Sequence, residues 1–123
     1  MLVVDDSAAN LRFALFVLRR LGCVVGTCSD GDEVVAALGA AAAVGAPYDV
    51  VVMDLYMERM NGDASLAALR AAGQALPVLL CTANATSADA ERYRGLGFAA
   101  QIGKPFTPEQ MHGAVAAVLR SSR

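Results

Sequence analysis

The run Asp49-Val50-Val51-Val52-Met53-Asp54 is short, rich in valine and stops abruptly on an acid. Consecutive apolar residues without alternation predict a strand buried on both faces, as in a parallel sheet. A carboxylate does not belong in that core, so Asp54 is expected just past the strand's carboxyl end. In open α/β sheets that end is where ligands and chemistry collect. Three other strand-like runs end similarly. Leu2-Val3-Val4 ends on Asp5-Asp6, Pro77–Cys81 ends on Thr82, and Ala99–Ile102 ends on Gly103-Lys104-Pro105. As parallel neighbours they would bring three carboxylates, one hydroxyl and one ammonium to a single rim.

Between the strands lie helical patterns. Leu11, Ala14, Leu15, Leu18 and Leu21 recur at helical spacing and predict a first helix over about Ala8–Leu21, with Ser7 as N-cap and Gly22 as its stop. A second strand is expected over Val24–Cys28. A second helix then runs to about Val44 and starts near Asp30, where Asp30 and Glu33 stand at capping-box spacing. The third strand is Val50–Met53, followed by a loop over Leu55–Gly62 and a helix over Asp63–Ala72. A strand over Val78–Cys81 leads to a helix over Ala88–Leu96 capped by Ser87. The last strand spans about Ala100–Ile102. The last helix opens on Thr107-Pro108-Glu109-Gln110, a cap, a first-turn proline and a capping-box glutamine, and ends near Arg120. Five strand–helix repeats without a linker-like break predict one α/β domain over residues 1–123, a doubly wound parallel sheet with right-handed crossovers. The most uniformly apolar strands suit the centre, which suggests the order 2-1-3-4-5 and puts Asp5, Asp6 and Asp54 at the switch point.

Composition narrows the function. With 56% apolar and 18% charged residues the chain is globular. A net charge of −2 without a basic patch argues against nucleic acid as a direct ligand. No apolar run is long enough to span a bilayer. The chain enters a strand at once, so no signal peptide is expected and the cytoplasm is the expected location. Cys23, Cys28 and Cys81 match no zinc spacing and are expected to be free thiols. His112, the only histidine, falls on an amphipathic helix with no acid–base group beside it, and a surface role is expected.

Three close carboxylates repel by roughly 1–4 kcal/mol per pair at surface-like dielectric. A hard divalent cation is the simplest compensation, and oxygen-only ligands with room for water favour Mg²⁺. Mg²⁺ on carboxylates is the usual partner of a phosphoryl group. Lys104, the only lysine in the chain, and Thr82 could neutralise two further phosphoryl oxygens. Asp54 is then the candidate nucleophile, forming an aspartyl-phosphate. Each residue alone has a plainer reading: Asp5-Asp6 as helix caps, Asp54 as a turn former, Thr82 as a strand-end hydroxyl, Lys104-Pro105 as a loop. Their joint placement at four strand ends is what favours the chemistry.

The chain resembles the receiver domain of two-component response regulators. The likeness rests on Leu2-Val3-Val4-Asp5-Asp6-Ser7, Met53-Asp54-Leu55-Tyr56-Met57 with Met60-Asn61-Gly62, Cys81-Thr82-Ala83-Asn84, and Gly103-Lys104-Pro105-Phe106. The resemblance implies a flavodoxin-like (βα)5 fold, bound Mg²⁺, and transfer of a phosphoryl group from phosphohistidine to Asp54. By position it implies Asp6 as a direct metal ligand, Asp5 as metal support, the backbone carbonyl of Tyr56 as a further ligand, and Thr82 and Lys104 on the phosphoryl group. It implies no turnover of a separate substrate. The partner would be a sensor histidine kinase, a histidine phosphotransfer protein, or both. Ala9, Asn10, Phe13, Pro105 and Phe106 would touch that partner. Phe13, with Phe16 and Val17, lies off the sheet-facing stripe of the first helix. Nothing in the chain specifies an oligomeric state.

Three positions depart from the family pattern. Glu58-Arg59 stand where a proline usually follows the methionine of the Asp54 loop. Gln101 stands where an aromatic residue usually precedes the lysine by three. The chain also starts almost inside the first strand, as an excised domain would. Asp5–Asn10 and Thr82–Ala85 look like receivers attached to hybrid sensor histidine kinases, which relay phosphate to a phosphotransfer protein. Gln101 suits a relay, which has no need of the aromatic switch. Tyr56 and Asn84, two residues past Asp54 and Thr82, flank the expected line of water attack. The alternatives are a stand-alone response regulator, a phosphorylation-independent pseudo-receiver, a small aspartyl-phosphate phosphatase and a flavodoxin-like cofactor binder. The phosphatase would need an acid where Tyr56 stands, the pseudo-receiver usually lacks part of the acid–lysine set, and the cofactor binder would need a glycine-rich phosphate cradle.

Overall fold

The valine-rich runs pair in parallel, edge to edge, in the order expected. The computed structural model describes residues 1–20, 22–83, 87–104 and 106–121. Its elements are β1 (Leu2–Val4), α1 (Ala8–Arg20), β2 (Gly26–Cys28), a 3₁₀ turn (Gly31–Glu33) leading into α2 (Val34–Ala43), β3 (Val51–Asp54), α3 (Gly62–Ala71), β4 (Val78–Thr82), α4 (Ser87–Leu96), β5 (Ala100–Gly103) and α5 (Pro108–Ser121). The sheet order is β2-β1-β3-β4-β5, with every pairing parallel. This is the flavodoxin-like doubly wound fold. Among the described residues no helix is long and apolar enough to cross a membrane.

Strand alternation divides the core into two layers. Leu2, Val4, Val51, Met53, Val78 and Leu80 pack with Val34 and Leu38 of α2, Leu66 and Leu69 of α3, and Tyr93 of α4. Val3, Val52, Leu79, Cys81 and Ile102 pack with Ala14, Val17 and Leu18 of α1 and Met111, Val115 and Val118 of α5. Leu79 and Leu80 are both fully buried, on opposite faces of one strand. Each such side chain contributes roughly 1.5–3 kcal/mol of burial.

Several boundaries differ from the sequence expectation for identifiable reasons. β2 starts at Gly26, and Val24 is 86% exposed. As an edge strand it pairs only with the three residues of β1. Asp54 lies inside β3 rather than past it, because Cys81 of β4 extends the ladder to its level. On α1 the buried residues are Ala14, Val17 and Leu18, while Leu15 is only partly buried. The helix is turned so that Val17 faces inward, since α1 packs against the sheet and α5 together. Leu21 lies outside the described residues. The expected capping box at Asp30 is absent, since its side chain makes no cap bond and the helix begins as a 3₁₀ turn. Three other end signals hold. The Ser7 hydroxyl accepts the Asn10 N–H at 3.3 Å. Gly22 has φ of 83°, and the N–H groups of Gly22 and Cys23 bond the Arg19 and Leu18 carbonyls. At α5 the Thr107 N–H donates to Gln110 Oε1 at 2.8 Å, and the Gln110 N–H donates to Thr107 Oγ1 at 3.1 Å.

One glycine seats α3 against the site strand. A Cβ on Gly62 would lie 2.7 Å from the Asp54 carbonyl oxygen and 3.2 Å from Leu55 Cα, neither of which can swing away. Gly39, in the middle of α2, has open space around it. Gly62→Ala is therefore expected to cost about 1–3 kcal/mol of stability. Gly39→Ala is expected to add roughly 0.5–1 kcal/mol. Chemical denaturation of both variants beside the wild type checks the pair.

Candidate functional site

The rim forms because four neighbouring strands, β1, β3, β4 and β5, end close together along the sheet. Val4 pairs with Met53, so Asp5 and Asp54 follow side by side. The Asp5 N–H is held by the Cys28 carbonyl, and the Lys104 N–H by the Thr82 carbonyl at 2.9 Å. Alternation then sets direction. By parity Asp5, Asp54 and Lys104 continue the series Val3, Val52 and Ile102, whose side chains face α1 and α5. Thr82 has the opposite parity and is 2% exposed at the end of β4.

Lys104 joins the two carboxylates. Its Nζ lies 2.9 Å from Asp5 Oδ2 and 3.1 Å from Asp54 Oδ1. Asp5 Oδ1 also accepts the Ser7 N–H at 2.9 Å, which ties the acidic pair to the start of α1. Asp54 Oδ1 accepts the Leu55 N–H at 3.0 Å, while Oδ2 accepts no hydrogen bond among the described residues. Burial pushes the Asp54 carboxyl up, Lys104 opposes this, and the Asp5 charge pushes it up further, for a net rise above the ordinary carboxylate value. Burial pushes the Lys104 ammonium down, but its bonds to Asp5 and the Asp54 charge outweigh it and raise it. Lys104 therefore stays charged at neutral pH.

Asp6 is exposed, yet its carboxylate completes a trio in which oxygens of Asp5, Asp6 and Asp54 all lie within 4.8 Å of one another. Oxygen-only donors at this spacing, with one buried acid and one open to solvent, fit a hard divalent cation that keeps some water. Tyr56 stands two residues beyond Asp54 with its ring 66% exposed, so the ring projects into solvent. A cavity of about 270 Å³ opens beside Asp54 and Lys104 and runs beneath α1 and α5. Phe13 and Phe106 border it with ring centroids 5.4 Å apart, and Asn10 lies at its edge. Phe13 is 46% exposed and Ala9 and Asn10 are exposed, while Pro105 and Asn84 lie outside the described residues. Gln101 is half-buried on β5, and His112 is exposed on α5, as expected.

Two features escaped the sequence reading. Cys81 lines the cavity beside the acids, and burial pushes its thiol up to about 12, so it is inert at neutral pH. Its alternation with Leu80 was the available signal. The second feature is Asp30. Its carboxylate is 1% exposed and accepts the Arg59 and Met60 N–H groups, each at 2.8 Å. Burial pushes this carboxyl up, but the two N–H groups and the Arg59 charge outweigh it and hold it low. The capping-box spacing concealed this role.

The response regulator receiver domain family matches residues 1–116. The chain belongs to that family. Its receiver domain is 31% identical over 121 residues to the alkaline phosphatase synthesis transcriptional regulatory protein PhoP of Bacillus subtilis, covering 98% of this chain and 48% of PhoP. It is 28% identical over 113 residues to the signal transduction histidine-protein kinase BarA of Escherichia coli K12, covering 90% of this chain and 12% of BarA. The chain thus spans less than half of either relative. Among solved structures, the chemotaxis protein CheY4 of Vibrio cholerae superposes with a TM-score of 0.80 at 29% identity, covering 95% of each chain. Receiver domains bind Mg²⁺ at an acidic pocket, and the Asp5, Asp6 and Asp54 cluster is of that kind.

Lys104→Met would leave two largely buried carboxylates facing each other. A loss of about 1–3 kcal/mol is expected from the unpaired groups. Mg²⁺ bound at the acidic cluster would supply the missing charge, so the deficit in melting temperature should narrow when Mg²⁺ replaces chelator. Thermal melts in both buffers check this, and an equal deficit in each would contradict it.

Proposed function

We propose that this receiver domain takes a phosphoryl group from a phosphohistidine onto Asp54 and passes it on within a phosphorelay. The observation that carries the reading is the Lys104 ammonium bridging Asp5 and Asp54 at 2.9 and 3.1 Å, with Asp6 alongside. Asp5, Asp6, Asp54 and the Tyr56 backbone carbonyl would hold Mg²⁺, which when bound neutralises phosphoryl oxygens.

The chain's own groups account for the transfer. Lys104 and Leu55 occupy Asp54 Oδ1, which leaves Oδ2 to form the new O–P bond. As it forms, the N–P bond of the donor breaks and its electron pair stays on the imidazole nitrogen. Lys104, already between the acids, shifts its charge toward an incoming phosphoryl oxygen. The Thr82 hydroxyl contacts another. The exposed Ala9, Asn10 and Phe13, with Pro105 and Phe106, would seat the helical donor, a sensor histidine kinase or a histidine phosphotransfer protein. The likeness to BarA, a histidine-protein kinase, supports the relay reading, as does Gln101 in place of a switch aromatic. The likeness to PhoP and CheY4 supports a second reading, a response regulator that signals by phosphorylation-dependent binding. Either would act in the cytoplasm without turning over a separate substrate.

With Mg²⁺ and acetyl phosphate, intact-mass measurement is expected to show one added phosphoryl group on the wild type and none on Asp54→Asn. An unmodified wild type would count against phosphoacceptance from small donors. Phe13→Asp is expected to slow transfer from a phosphohistidine donor about tenfold or more, as loss of an interface anchor does. The same variant should react normally with acetyl phosphate. Equal loss with both donors would place Phe13 in the fold rather than the interface.

A further inference from the structure

We infer that Asp30, with Arg59, is a positioning residue that latches the β3–α3 loop so that its backbone is preset for the cation at the rim. The inference rests on the proposed reading of the rim as a Mg²⁺-dependent phosphoacceptor site. The loop leaves Asp54 and must return at Gly62, whose N–H bonds the Leu55 carbonyl at 2.7 Å. The Met57 N–H bonds Asn61 Oδ1 at 3.1 Å, so the loop's neck is closed from within. The stretch Glu58–Met60 has no such internal partner. Two of its N–H groups, those of Arg59 and Met60, reach across some thirty residues of sequence to the two oxygens of Asp30. One carboxylate thus fixes two consecutive peptide planes. A buried acid accepting two N–H groups is a charge-assisted clamp, stronger than neutral pairs.

The Arg59 side chain closes the same contact from outside. Nε donates to Asp32 Oδ2 at 2.8 Å, and Nη2 donates to Asp32 Oδ1 at 3.0 Å and to Glu33 Oε2 at 2.7 Å. Glu33 is itself held by the Ser29 hydroxyl at 2.8 Å. Loop and turn touch directly, since a Cβ on Gly31 would lie 2.7 Å from the Met60 carbonyl oxygen. The fully buried Ser65 of α3 donates to the Gly31 carbonyl at 3.2 Å. Turn, loop and the start of α3 therefore form one stitched unit. That unit carries Tyr56, whose carbonyl is the proposed metal ligand.

A backbone carbonyl ligand binds more tightly when supporting contacts hold its loop in place before the ion arrives. A proline at position 58 would restrict the backbone by its ring. Glu58 has no such restriction, and the latch restrains the chain immediately after it. Asp30 does so at the expense of capping its own helix.

Calorimetric Mg²⁺ binding and amide hydrogen exchange test this on wild type, Asp30→Ala, Arg59→Ala, Glu58→Pro and the Asp30→Ala/Glu58→Pro double variant. Loss of such a supporting contact is expected to weaken Mg²⁺ binding about tenfold or more in Asp30→Ala. In the solvent-facing Arg59→Ala, which keeps both Asp30 bonds, a loss of about twofold to fivefold is expected, in line with a weaker exposed ion pair. Glu58→Pro should restore most of the affinity lost in Asp30→Ala, because the ring replaces the latch. A residue that only stabilised the fold would lower the melting temperature without that recovery. In the wild type the Arg59 and Met60 amides should exchange slowly. Should Asp30→Ala fail to fold, fast exchange at those amides or unchanged binding in Arg59→Ala would overturn the latch. Wild-type Mg²⁺ binding with unchanged affinity in folded Asp30→Ala would overturn the latch alone. A wild type that takes up no Mg²⁺ would overturn the reading of the rim, and this inference with it.

Discussion

An ammonium between two largely buried carboxylates is the interaction on which the rest of this structure turns. Asp5 and Asp54 are driven together by the pairing of β1 with β3, which the valines alone would favour. Without a cation between them that pairing would be opposed by their repulsion, which at low exposure is only weakly screened. Lys104 supplies the cation from β5, two strands away, and its own backbone is tied to β4. The sheet's register and the site's charge balance are therefore one constraint. The same arrangement leaves the domain poised, because the ammonium can be shared with any anion that enters beside Asp54.

Parity explains the layout of the site. Residues alternating along each strand divide into a layer facing α2, α3 and α4 and a layer facing α1 and α5. The acids and the lysine extend the second series past the end of the core, so the site opens toward α1, where Phe13 and Phe106 meet. Thr82 extends the first series, which places the hydroxyl on a different wall from the charges. The cavity beneath the aromatic pair lies between the site and α5, so the Asp54 carboxylate and the aromatic surface are structurally continuous.

The β3–α3 loop shows how a departure from a family pattern is accommodated. Glu58 and Arg59 occupy positions where the resemblance leads one to expect a proline, which by itself suggests a looser loop. The tertiary structure compensates with contacts from a distant turn: a buried Asp30 on the backbone and an Arg59 fork on Asp32 and Glu33. Local restraint is replaced by non-local restraint.

The sequence alone determined the strands, their order and the carboxylates at their ends, because uninterrupted apolar runs ending on acids satisfy few other folds. It also determined the Ser7 cap, the Gly22 stop and the Thr107–Gln110 box, each a local hydrogen-bond pattern. Features that depend on partners far along the chain were set by packing between elements. Val17 rather than Leu15 faces the core because α5 competes for the same face of α1. Asp54 lies within β3 because β4 reaches its level. Asp30, written as a helix cap by its spacing, was drawn to the Arg59 and Met60 amides instead. Those two N–H groups have no partner within their own loop, and leaving both unsatisfied beside a buried acid costs more than leaving the helix start without its side-chain cap.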